Sequence, residues 1–439
     1  MKRKLLAVLI VSTMLTGALT ACGEKADSKT ESKSSTEGTS EGKSDIEPTE
    51  GDGVEAEKVS LTIWTPENQR TNGTIESMAE SFAELHPEYD IEFAYEIVGE
   101  DKAKEEVLKD PEAAADVFFY ANDQMVEMVN AGVLAKLGGP TLEMINSTMS
   151  PAVVGTVTNP NDGAIYGIPF THNTFFMYYD KSLLTDEDVK TVEGIVGKDT
   201  ADGVTNFFFE AAGGWKLGAW YYGAGNTIYG ESQTDFAAGC DWNNATGVAV
   251  TNYLIDLYNN PKVAFDNGVA VAELIGEHKL GAWFDGAWNY QMYKDVLGDD
   301  LGVGVLPTFE VNGKANQLKG FYGSKAIGVN THSENLGVAV EFAAYIGGEE
   351  MQVKRFVESN QIPTNSAAGQ NEAVLADEIA AVTVKEAEVA SVTQPLAAEF
   401  GSKYWANVGG ITAEIISGEL TKDNAQEKLD AFVATMVVE

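Results

Sequence analysis

Cysteine is almost absent from this chain: 2 occur in 439 residues, Cys22 near the start and Cys240 far downstream. That scarcity excludes a disulfide framework and a cysteine-rich metal site, and Cys240 reads as a small packed side chain. Histidine is equally scarce, with 4 residues and no ligand cluster, so no metal is expected. Basic residues are few as well: 29 Lys and Arg stand against 67 Asp and Glu, a formal charge of -38. A surface that acidic repels phosphate backbones and anionic lipid heads, which excludes nucleic acid and leaves sugars, amino acids and peptides open as ligands. Gly223-Ala224-Gly225 and Gly302-Val303-Gly304 lack the third glycine and acidic follow-on of a dinucleotide loop. No lysine-bearing phosphate loop is present either, so no cofactor is expected.

Long apolar runs are also missing, with one short exception at the start. Residues 5–19 follow the basic Lys2, Arg3 and Lys4, and they fall short of the ~20 residues a helix needs to cross a hydrocarbon core of about 30 Å. Residues 1–21 therefore read as a signal peptide. Leu19, Ala21 and Cys22 resemble a lipobox, which implies cleavage before Cys22 and a diacylglyceryl group on its sulfur. Residues 22–57, rich in Ser, Thr, Glu, Gly, Lys and Asp, contain too little apolar surface to offset the entropy of ordering, so they read as a disordered tether. The expected location is extracytoplasmic, anchored to the cell membrane by two acyl chains at Cys22.

Beyond the tether, 44% hydrophobic and 10% aromatic content supplies material for more than one core. Val59, Leu61 and Ile63 alternate as a strand, followed by a loop at 67–70. Ile75, Met78, Ala79, Phe82 and Leu85 share one face of a helix that ends at His86-Pro87. A second strand carries Ile91, Phe93, Tyr95 and Ile97, and after a charged helix the apolar run 116–120 suits a strand covered on both faces. Alternating strands and helices predict parallel sheets whose ligands bind at the loops leaving the strands' carboxyl ends, here 66–70 and 121–124. Apolar stretches at 175–179, 326–329 and 362–365 read as crossings between two lobes.

Taken in order, several short segments resemble the extracellular solute-binding proteins of ABC importers, and within them the maltose/maltodextrin-binding group. They are Leu61-Thr62-Ile63-Trp64; the run 116–123 with 131–137 after it; Tyr166-Gly167-Ile168-Pro169 with Tyr178-Tyr179-Asp180; the run 279–288; Gly304-Val305-Leu306-Pro307; and Ser417-Gly418. The resemblance implies an α/β fold of two lobes, periplasmic-binding-protein-like, with three hinge crossings and a ligand cleft between them. Lobe 1 is expected at 58–173 with 324–365, and lobe 2 at 174–323 with 366–439. The implied function is capture of a carbohydrate of the maltodextrin type by a monomer, which delivers it to ABC permease subunits.

Carried over by position, the resemblance nominates Asn68 and Gln69 as polar contacts, Tyr120 as an aromatic platform, Asp123 as a hydroxyl acceptor and Gln124 where an arginine is usual. It adds Asn173, Glu210, and the stacking tryptophans Trp288 and Trp405. A sugar ring has an apolar C–H face and a rim of hydroxyls, so plates joined with amides and carboxylates suit it independently of the family. The tract 215–229, with Trp220, Tyr221 and Tyr222, offers further subsites, and Asp123 also has the position of a helix cap. Two other readings stay open. The fold can hold a polyamine or peptide, and carboxylates among aromatics also describe a secreted glycoside hydrolase, although no catalytic pair is singled out.

Overall fold

The computed structural model describes residues 56–210, 214–231, 233–264 and 271–438. The expected signal peptide, Cys22 and the tether as far as residue 55 lie outside them. Thirteen strands occur in chain order among the described residues: β1 Glu57–Thr65, β2 Tyr89–Ile97, β3 Val117–Ala121, β4 Ile168–Asn173, β5 Phe176–Asp180, β6 Thr205–Phe208, β7 Val263–Ala264, β8 Leu280–Asp285, β9 Leu301–Gly304, β10 Thr308–Val311, β11 Lys314–Gln317, β12 Gly320–Val329 and β13 Ser391–Thr393.

They form two separate sheets and a hairpin. The first sheet runs β13-β12-β3-β1-β2, with β4 also paired to β12. Within it β1 is parallel to β2 and β3, and β12 is antiparallel to β3 and β4. The second runs β7-β6-β8-β5-β9, with β6 parallel to its neighbours and β5 antiparallel to β8 and β9. The β10-β11 hairpin turns at Asn312-Gly313, both at positive φ (57° and 70°), the conformation that a two-residue turn between twisted strands requires.

Each sheet carries its own apolar core. In the first, Leu61 and Ile63 of β1 and the unbroken run Val117 to Tyr120 of β3 are buried together with Ile75, Phe82 and Phe342 from the helices. The second sheet divides its side chains by the strand period: Met177 and Tyr179 of β5 enter one cluster with Phe284, while Phe176 and Tyr178 enter another with Trp283. Helices therefore cover both faces, as expected, but the sheets are mixed instead of parallel: β12 runs against β3 and β4, and β5 against β8 and β9.

Core membership also locates the passages between sheets. Phe170 belongs to the first core and Phe175 to the second, so the first passage is the turn 173–175, and β5 lies wholly in the second sheet instead of crossing. On the return, Phe321 packs in the second core and Ala326 in the first, so the crossing falls within β12, earlier than 326–329. The stretch 362–365, expected as the third, belongs to no strand or helix, and Gln352 Oε1 accepts from the backbone N–H groups of Thr364 and Asn365 at 2.9 and 3.0 Å. One loop is corrected. Residues 67–71 form a short helix, because Pro66 supplies an extended entry and Glu67 and Arg70 carry the charge signs that suit its two ends.

Candidate functional site

Where strands end, the chain builds a cavity of about 740 Å³. From the carboxyl end of β1 come Pro66, Glu67 and Asn68; from that of β3, Ala121 and Asp123; from that of β8, Trp288 and Asn289. Lys325 of β12 and Gln361 of the third crossing complete the polar side. This is the placement that open α/β sheets favour for ligands.

Three tryptophans form an aromatic wall. Trp288 follows Asp285-Gly286-Ala287, and a Cβ at Gly286 would lie 2.1 Å from the indole, so only glycine lets the ring fold back across the chain there. Asn289 donates to Asp285 Oδ2 at 2.8 Å, which holds the turn. Trp215 lies near-parallel to Trp288, centroids 5.8 Å apart at 22°, and its edge is fixed by Phe175 at 4.9 Å. Trp405 ends a π-helical turn, Gly401–Trp405, and packs on Tyr404 and Phe400 at 4.8 and 5.4 Å. Such wide turns recur at functional sites because they re-aim one side chain out of the helical pattern.

The rest of the lining is polar and mainly acidic: Glu67, Glu100, Asp101 and Asp123 stand, among the described residues, with one cation, Lys325. Lys325 Nζ is 3.2 Å from Glu100 and 4.9 Å from the Trp288 ring centroid, so it ties an acid of one wall to an aromatic plate of the other. Asp123 keeps part of its surface open to the cavity while protein surrounds its carboxyl, and desolvation pushes its pKa up to about 6. Its own backbone N–H, Lys104 and the nearby Trp405 indole oppose that rise without cancelling it.

Of the nine ligand contacts expected from sequence, Asn68, Asp123, Asn173, Trp288 and Trp405 line this cavity. Four do not. Tyr120 is fully buried and turned into the first core, its hydroxyl 3.4 Å from the Tyr166 carbonyl; alternation along β3 points it away from the cleft. Gln69 is fully buried one residue past Asn68, on the other side of a helical turn. Its carbonyl accepts from Arg355 Nε at 2.8 Å and its amide donates to Gln361 at 3.1 Å, so it supports a lining residue from behind. Gln124 does the same for the loop bearing Glu100 and Asp101: it donates to the Glu100 carbonyl at 2.7 Å and accepts from Lys104 N at 2.8 Å. Glu210 is not among the lining residues and lies 3.9 Å from Lys216.

Asp123 is not a helix cap, since it lies inside the 3-10 turn Asn122–Gln124 and neither that turn nor the next helix has a side-chain cap. The nominated Trp220, Tyr221 and Tyr222 belong to the second core, and in that tract Trp215 is the residue that reaches the cleft. Sequence reading missed Lys325 too. Its signal was a lysine inside the apolar run of β12, a place where a charge needs an acidic partner.

The family described as bacterial extracellular solute-binding protein matches residues 77–382. A solved structure of a protein with acarbose is 39% identical, covers 87% of this chain and 99% of its own, and superposes with a TM-score of 0.80. The galactooligosaccharide-binding protein of Bacillus subtilis (strain 168) is 25% identical over 76% of this chain and 79% of its own length. The maltooligosaccharide ABC transporter solute-binding lipoprotein of Streptococcus pneumoniae (strain ATCC BAA-255 / R6) is 30% identical over 54% of this chain and 56% of its own.

Proposed function

Because the chain belongs to the bacterial extracellular solute-binding proteins and has their two-lobed α/β fold, we propose that its cleft captures a neutral oligosaccharide of the maltodextrin type and presents it to an ABC permease. The observation that carries this reading is that one cleft is lined by three indoles together with amides and carboxylates. Indole faces complement the C–H face of a sugar ring; Asn68, Asp123 and Asn173 accept from and donate to its rim. Relatives described by galactooligosaccharide, maltooligosaccharide and acarbose support the same ligand class.

On this reading, lobe 1 comprises 58–173 with 324–365 and lobe 2 comprises 174–323 with 366–439. The lobes close by bending at the three passages, and ligand shifts the population by binding the closed form better than the open one. A diacylglyceryl anchor on Cys22 and a tether that ends before β1, one residue short of the expected 57, keep the monomer beside its permease. The protein releases its sugar unchanged.

The acidic excess of the cleft favours a second ligand, a polyamine, through charge alone. Calorimetry against maltotriose, maltopentaose, galactooligosaccharides and spermidine separates the two. Micromolar binding of an oligosaccharide with no spermidine signal supports the sugar, and the reverse rejects it. Incubated oligosaccharides recovered intact by chromatography exclude hydrolysis, and shortened products would establish it.

A further inference from the structure

The Trp288 indole is flanked twice. Trp215 lies near-parallel to it with centroids 5.8 Å apart, and Lys325 Nζ stands over the ring, 4.9 Å from its centroid. The ammonium is not sandwiched between the two rings, because two van der Waals contacts in series need about 7 Å. Trp215, Trp288 and Lys325 all line the cleft, so a sugar ring that stacks on Trp288 takes the place of one of its two neighbours. They are held differently. Trp215 packs edge-on against Phe175 at 4.9 Å and against the second core, which fixes it. Lys325 has a flexible four-carbon stem, and its ammonium, 3.2 Å from the Glu100 carboxylate, keeps that partner when it leaves the ring. Of the two, the lysine yields. Its contact with Trp288 also reaches between sheets: Lys325 lies on β12 and Glu100 follows β2 in the first, whereas Trp288 follows β8 of the second.

We propose that Lys325 is a tethered competitor for the sugar: its ammonium and a pyranose ring contend for the same indole, and an oligosaccharide displaces the ammonium toward Glu100 as it stacks. The inference rests on the oligosaccharide reading of the cleft and adds to it the residue that limits how tightly the Trp288 plate holds a ring. A cation over an indole is favourable in itself, so a sugar that takes the plate does so against that attraction.

Calorimetry with maltopentaose on the full chain tests it. Glu100→Gln with Lys325→Ala binds about threefold tighter than Glu100→Gln alone, the change expected for losing one cation over an indole, and the comparison leaves no buried carboxylate without its cation. Lys325→Arg keeps the pair with Glu100 and lays a flat guanidinium on the indole, so it binds about threefold more weakly than the wild type. In a Trp288→Ala background the loss of the lysine gives no gain, whereas a lysine that only steadied the fold would have the same effect there. Equal or weaker binding on loss of the lysine overturns the proposal, as does a gain that survives without Trp288. Magnetic resonance of isotopically methylated lysines supplies a direct readout. The signal missing in Lys325→Arg is shifted upfield by the indole ring current and moves downfield as maltopentaose is added. A signal that stays in place while maltopentaose binds overturns the displacement and leaves the oligosaccharide reading standing. A wild-type protein that binds no maltopentaose overturns that reading, and the displacement with it.

Discussion

The two walls of the cleft differ in chemistry and in how they are held. The aromatic wall comes from the second-core side, where Trp215 and Trp405 are fixed by packing against Phe175, Phe400 and Tyr404, and Trp288 lies against Trp215. The polar wall comes mainly from the first-core side, where buried amides hold the lining residues: Gln69 through Gln361, and Gln124 through the backbone of Glu100. Apolar plates need only shape behind them, whereas acids and amides aimed at a ligand need partners that satisfy what the ligand does not. That difference explains why Gln69 and Gln124 lie behind the cavity wall and still serve it.

Breaking the link between the walls has the largest expected effect. Lys325→Met leaves the Glu100 carboxylate, 8% exposed, without its cation, and should destabilise the protein by about 2 kcal/mol in denaturant unfolding, below the figure for a fully buried pair. Glu100→Gln combined with it should restore most of that loss; an additive double variant would mean that the two side chains do not act as a pair.

Next comes the aromatic wall itself. Trp288→Ala should weaken oligosaccharide binding tenfold or more, ~1.4 kcal/mol, by calorimetry, with little change in unfolding because the ring is only partly buried. Unchanged affinity would remove Trp288 from the site.

The polar wall is sharpened by pH. Asp123 has a folded pKa near 6, above its ordinary 3.8, so its contribution to the stability of the free protein is fully present below about 4 and is lost as pH rises through 6. Its carboxylate accepts ligand hydroxyls best when charged, so oligosaccharide affinity should fall about threefold between pH 7.5 and pH 5. Asp123→Asn should flatten that profile and raise the unfolding midpoint at neutral pH. A slope that persists in the variant would assign the titration to another group.

The smallest effect belongs to the residue behind the wall. Tyr120→Phe removes a hydroxyl with one long contact, 3.4 Å, and should leave affinity unchanged and stability within about 0.5 kcal/mol. A loss of binding would return Tyr120 to the ligand.

Much of the architecture was legible in the chain. The alternation of Val59, Leu61 and Ile63, the helical face from Ile75 to Phe82 and the doubly covered run expected at 116–120 and found from 117 each follow from a period that burial imposes, while Leu85, expected on that same helical face, is exposed. Strand ends pointed to the right places for a site, and Asn68, Asp123 and Trp288 line the cleft at three of them. Which neighbour of each faces in was not legible, because one residue more rotates a side chain by about a third of a turn in a tight helix and half a turn in a strand. Asn68 and Gln69, or Asp123 and Gln124, are equally polar, and composition cannot rank them.

What the sequence determined alone is the set of quantities that local chemistry fixes: the acidic balance, the scarcity of thiols and imidazoles, the periods of strand and helix, and the family resemblance spread along some 380 residues. Tertiary structure decided which wall each residue serves, that Lys325 joins Glu100 across 225 positions of sequence, and that Trp215 rather than Trp220 reaches the cleft. Those outcomes depend on distances between segments far apart in the chain, and a pairing of that kind leaves no local period to read.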